Sequence, residues 1–253
     1  MKRGILRLIV LVYLLIVGCS TAPIHPVKGS TGVVAIDVDL RLNSDVLNLF
    51  PGFIEPNAIF FARLDRSGDI HNQNELYMSN HLIGDTAYFF NAKPGTYVAV
   101  GFRAYKKKSS SNNYRKDGAV IFDIMIPEKM IELTKVKVCS ETVSYMGEFH
   151  IVEPEFEDRA TVVDNAQQHY YGKMISLAYA DTYGKDYFKD KKFDLRKRAA
   201  IFSEINPTFG ALLERHDHSK ARIEAHLKRA YSSMKKTMWE PLFRSSLEGK
   251  GCR

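Results

Sequence analysis

The chain of 253 residues is poor in the features that announce a chemistry most directly. Its 3 cysteines are too few for a small scaffold built on disulfides. Its apolar run Leu8–Val17 is about ten residues, well short of the roughly 20 that a spanning helix needs. There is no Gly-x-Ser-x-Gly, no glycine-rich loop ending in Lys-Ser/Thr, no His-Glu-x-x-His and no Cys-x-x-Cys. Nucleophile-elbow hydrolysis, phosphate-loop nucleotide binding, zincin chemistry and dithiol exchange therefore have no sequence support. No internal repeat is visible. With 45% hydrophobic and 26% charged residues, the composition is that of a globular protein. The length suits one large domain or two small ones, either able to bury a core.

What the chain does have is concentrated at its start. Lys2, Arg3 and Arg7 precede the short apolar run, and Gly18 and Cys19 close it. A basic start, a short apolar stretch and a small residue are the parts of a secretory signal peptide. The closing Ile16-Val17-Gly18-Cys19 resembles the lipobox of bacterial envelope lipoproteins. The resemblance implies cleavage between Gly18 and Cys19, acylation of Cys19, and a lipid bilayer as the partner of the acylated chain. It also implies a cell-envelope location, and Ser20 after the cysteine goes with the outer membrane in that family. The alternatives are a signal anchor, or a secreted protein with an incidental cysteine. Two or three acyl chains would hold the protein stably where one is marginal.

Removal of residues 1–18 takes Lys2, Arg3 and Arg7 away and lowers the net charge from +7 to +4. An exported chain does not meet cytoplasmic nucleic acid, so nucleic acid is not an expected partner despite the basic balance.

Beyond the signal, the pattern divides into a tether over 19–32, a β-sandwich over 33–154 and an α-helical region over 155–253. The tether is read from Pro23, Pro26, Gly29 and Gly32 and from the lack of apolar periodicity. In the second part, Val34, Ile36, Val38, Leu40 and Leu42 alternate with Ala35, Asp37, Asp39 and Arg41, as in a half-buried strand. Further runs at 58–64, 75–78, 88–90, 96–105, 119–126, 130–138 and 143–152 make about eight short strands parted by turn signals, which favours an antiparallel sandwich. The polar stretch 106–118 reads as an exposed loop. Pro94-Gly95-Thr96-Tyr97 and Tyr145-Met146-Gly147-Glu148-Phe149 resemble short motifs of prealbumin-like or immunoglobulin-like modules in envelope lipoproteins. That resemblance spans 94–152 and implies a fold rather than a task.

After Pro154 the period changes. Asp164 is placed to cap a helix to about Ala180, with Tyr170, Met174 and Leu177 on one side. Asp194 could cap another, carrying Leu195, Ala199, Phe202 and Ile205 and stopped by Asn206-Pro207. A third begins near Ser219, with Ile223, Leu227, Tyr231, Met234 and Met238 as its apolar stripe, and ends or bends at Pro241. The fold class expected is α+β.

Candidate chemistry is thin. Asp181 to Asp186 lacks the alternating oxygen ligands of a calcium loop. His216, Asp217, His218 and His226 form the one histidine-rich spot, but His218 and His226 are about 12 Å apart along a helix, so no metal and no cofactor is expected. Cys139 and Cys252 remain once Cys19 is acylated, either as a bridge or as two unrelated thiols. Lys191, Lys192, Arg196, Lys197, Arg198, Lys220, Arg222, Lys228, Arg229, Lys235 and Lys236 form either a cationic surface toward lipid or wall polymer, or the solvated side of amphipathic helices. The expected function is a non-enzymatic binding or scaffolding module, with an envelope protein or wall polymer as partner. The alternatives are an enzyme acting on wall polymers through Glu148, His150, Glu153 and His169, and a subunit of an envelope assembly.

Overall fold

The computed structural model describes residues 24–27, 31–42, 52–54, 56–72, 74–107, 119–152, 164–183, 205–208 and 212–249. Gly18, Cys19, Glu153, Cys252 and residues 194–204 lie outside the described residues, as do 108–118. Ile205, read as the last apolar position of the helix capped by Asp194, is in a strand with Asn206 and Pro207.

The class is α+β. The strands are β1 Gly32–Leu42, β2 Gly52–Ile54, β3 Ala58–Arg63, β4 Glu75–Met78, β5 His81–Ile83, β6 Thr86–Ala92, β7 Gly95–Lys107, β8 Ala119–Met125, β9 Val136–Val138, β10 Val143–Val152, β11 Ile205–Thr208 and β12 Leu212–Asp217. The helices are α1 Glu128–Leu133, α2 Asn165–Tyr183, α3 Lys220–Met234 and α4 Glu240–Leu247. One sheet runs β12-β10-β1-β6-β5 with β2 also on β1; the other runs β11-β8-β7-β3-β4 with β9 also on β7.

β1 forms as its alternation dictates. Val34, Ile36, Val38 and Leu40 enter a core that also takes Ile59 and Phe61 of β3, Val98, Val100 and Phe102 of β7, and Ile124 of β8. Each such side chain stabilises the fold by about 1.5–3 kcal/mol. A slip of one residue would carry Asp37 and Asp39 into that core, so the register of β1 is firmly set.

Several expectations are corrected. The sheets are mixed: β1 pairs β10 in parallel and β8 pairs β11 in parallel. Alternation reports which face a residue takes, not the direction of the neighbouring strand. The run 130–138 is helix α1 followed by β9, because Pro127 stands at the N-cap with extended ψ and Glu128, Lys129 and Glu132 favour helix. Helices are thus not confined to the C-terminal part, and that part contributes strands β11 and β12. The helix begun at Ser219 ends at Met234, Lys236 takes φ 71°, and Pro241 sits in the first turn of a new helix, where its missing N–H has no cost. Residues 24–27 also depart from a free tether. Asn91 Nδ2 donates to His25 O at 3.0 Å, Val27 N donates to Asn91 Oδ1 at 2.9 Å, and Trp239 Nε1 donates to Ile24 O at 2.6 Å.

Asp164 does cap α2, in a reciprocal box with Gln167 in which each backbone N–H meets the other's side-chain oxygen. Its second oxygen accepts from Glu128 N at 2.9 Å, at the start of α1. Tyr170 and Met174 of α2 are buried as the spacing requires. α2 approaches the second sheet so closely at Gly101 that a Cβ there would lie 2.4 Å from Met174 Sδ.

Candidate functional site

The outer face of the first sheet carries a second core, built from Val33, Ala35, Tyr88, Phe90 and Tyr145 of the sheet, Ala230 and Met234 of α3, Trp239 at the N-cap of α4 and Phe243 of α4. Polar groups are embedded along one side of it. They arise from a change of phase in β10. Ala35 pairs Tyr145 but Asp37 pairs Glu148, so β10 holds an extra residue at this point, and Gly147 there has φ 112°. The bulge lets Met146, Phe149 and Ile151 all face the inner core. Tyr145, Glu148 and His150 are thereby aligned on the outer face beside Asp37 and Asp39.

From the other side, α3 presents Arg222, His226 and Arg229, spaced four and three apart and so on one face of the helix. Ser219 starts that helix by accepting from Arg222 N at 3.2 Å. All three side chains converge on Asp37, which is 1% exposed. Its oxygens accept from Thr86 Oγ1 at 2.6 Å, Tyr145 OH at 2.8 Å, Arg229 at 2.9 Å and Arg222 at 3.2 Å. His226 Nδ1 lies 3.3 Å away. Burial pushes the Asp37 carboxyl up, but the His226 hydrogen bond and charge, with Thr86 and Tyr145, outweigh it and hold the group well below the usual carboxylate range. Burial and the adjacent Asp37 charge push the Tyr145 hydroxyl far up, so it stays a donor.

The cluster extends along the sheet. Arg222 Nε lies 2.8 Å from Glu148, and Arg215 of β12 lies 3.8 Å from the same carboxylate. The His150 ring bridges two acids, with Nδ1 2.9 Å from Asp39 and Nε2 3.0 Å from Glu148. Three carboxylates of the sheet thus meet Arg222, His226 and Arg229 of α3 across the seam, and His150 and Arg215 beside them on the sheet itself. His226 stacks on Tyr145 at 3.9 Å between centroids and is itself 1% exposed. Its Nε2 has no hydrogen-bond partner among the described residues. A carboxylate-oriented imidazole with a free nitrogen is the arrangement of a general base. Here the ring is buried among the described residues, beneath α3 and against Tyr145.

Of the residues expected to act together, Glu148 and His150 meet. His169 does not join them: it lies on α2, against the second sheet, 3.0 Å from Lys173. His216 stacks on Phe149 at 4.3 Å, and burial together with His218 pushes its pKa down. No group of three or more His, Cys, Asp or Glu among the described residues is placed to hold a metal ion. Cys139, in the turn after β9, is disulfide-bonded, and its partner lies outside the described residues. Arg222 and Arg229, read either as part of a cationic surface or as the solvated side of a helix, are the ones that bind Asp37. The spacing 222/226/229 carried that signal; the role of Asp37 did not show, because an Asp at an outward strand position ordinarily meets water.

No family model, no curated protein and no solved structure matches the chain.

Proposed function

We propose that the chain is a lipid-anchored bacterial lipoprotein of the cell envelope, held by acylated Cys19 at the outer membrane, that acts as a non-enzymatic binding or scaffolding module. In this reading the two sheets are the layers of a β-sandwich, and the α3–α4 pair is a cap fixed rigidly on its outer face. The observation that carries the reading is the Asp37 cluster. The ionisable side chains that would serve a reaction are closed on one another and fasten Arg222, His226 and Arg229 to the sheet. A rigid displayed surface suits recognition, and a buried imidazole does not suit turnover.

The test is crosslinking of the full lipoprotein in its own envelope, followed by purification under denaturing conditions. Recovery of one stoichiometric envelope protein, or of wall-polymer fragments, supports a binding module. Turnover of wall polymer by the purified protein, abolished by His226→Ala with the fold intact, refutes it.

A further inference from the structure

The segment that follows the lipidation position is built into the fold, and its apolar side chains point outward. Ile24 O and His25 O are held by Trp239 and Asn91, and Val27 N by Asn91. His25 Nδ1 lies 2.9 Å from Met238 Sδ, which sets the turn between α3 and α4 beside the segment. Ile24 is 42% exposed, Val27 61% and Met238 63%, and these are three of the six large hydrophobics exposed among the described residues. Their clustering at one corner distinguishes them from the scattered apolar exposure normal for a surface.

Charge and chain length both bear on what covers this corner. Lys235 and Lys236 are exposed in the same turn as Met238. The nearby Glu240 accepts from Lys236 N and from the Arg244 guanidinium, and it also feels the charge of Lys235, so the corner keeps a cationic excess carried by Lys235, Lys236 and Arg244. Cys19 precedes Ile24 by five residues. At a fully extended reach of about 3.3–3.6 Å per residue, the acylated sulfur lies within roughly 18 Å of Ile24.

We infer that the corner formed by Ile24, Val27 and Met238, flanked by Lys235 and Lys236, seats in the headgroup region of the phospholipid bilayer that holds the anchor. The inference rests on the lipid-anchor reading and deepens it: the protein lies on the membrane in one orientation instead of swinging on a leash. The apolar side chains enter the acyl boundary, and the lysines meet lipid phosphates. Trp239 lies directly beneath, buried but with its indole N–H on Ile24, and it is the only tryptophan in the chain.

Trp239 makes the test specific. The full mature lipoprotein is reconstituted into phosphatidylethanolamine/phosphatidylglycerol vesicles with plain or with brominated acyl chains, and its emission is compared. The expected result is loss of Trp239 emission in the brominated vesicles. Val27→Glu/Met238→Glu should restore that emission while the protein still floats with the vesicles, and Leu133→Glu, at an exposed site elsewhere, should not. Equal emission in both kinds of vesicle from a chain that floats and carries acyl mass overturns the inference, whether a second copy or another protein covers the corner instead. A chain that lacks acyl mass and does not float overturns the anchor reading and the inference with it, and mass spectrometry separates the two failures.

Discussion

Asp37→Asn removes one charge and keeps the shape of the side chain, so it isolates the electrostatic part of the clasp. Breaking a buried pair by removing one partner costs about 3–5 kcal/mol. The low end applies here, because the side chains of Arg222 and Arg229 are 22% and 54% exposed and water can take over part of their solvation. Thr86, Tyr145 and His226 are buried and cannot be compensated in that way. The expected loss is about 3 kcal/mol, or roughly 6–12 °C in Tm for a domain of this size. The effect has a defined pH dependence. The Asp37 pKa is depressed in the folded state, so its stabilisation is present above the unfolded pKa of about 3.9 and is lost as pH falls toward the folded value. The variant lacks that contribution, and its deficit should be largest near neutrality and shrink in acid. Urea unfolding followed by Trp239 emission, at pH 7 and again at pH 3, measures both quantities. A loss below about 1 kcal/mol at pH 7, or a deficit that grows in acid, would mean that the Asp37 charge does not hold α3 to the sheet.

Two further outcomes test the local geometry. Gly147→Ala adds a Cβ at φ 112°, 3.0 Å from both Asp217 O and His216 Nε2, and should destabilise by about 1–3 kcal/mol in thermal melts; an unchanged Tm would mean that the bulge is not needed to align Tyr145 and Glu148. The bridge from Cys139 should reach Cys252, because Ser246 Oγ of α4 accepts from Val143 N at 3.0 Å, which sets this part of α4, six residues before Cys252 in sequence, beside the start of β10 and the turn that holds Cys139. A non-reducing peptide map should join those two cysteines, and their joint replacement by Ser should cost about 4–5 kcal/mol for a loop on the order of 100 residues. A map joining Cys139 to Cys19 would contradict both the bridge and the acylation.

How much was legible in the sequence depends on the range of the force involved. The inner face of β1 and the cap at Asp164 follow from neighbours within a few residues, and both stand as the pattern requires. The partner of Asp37 lies far along the chain in α3, and period-two alternation marks Asp37 as outward without telling that a helix covers it. The phase break at Gly147 was visible as a glycine inside a strand pattern, with Met146 and Phe149 both apolar on either side, yet it takes the pairing with β1 to show which face each residue gains. Parallel pairing of β1 with β10 leaves no local mark, since the strands are joined by remote chain. The docking of 24–27 was hidden because the segment offers mainly its backbone groups to Asn91 and Trp239, and backbone groups have no sequence signature.

Anchorage through one sulfur is put to the sharpest test by Cys19→Ser expressed in the native envelope. The variant should escape processing between Gly18 and Cys19, carry no acyl mass and leave the mature, membrane-bound pool. A variant that is still cut at that bond and still fractionates with the membrane would rule out anchorage by Cys19.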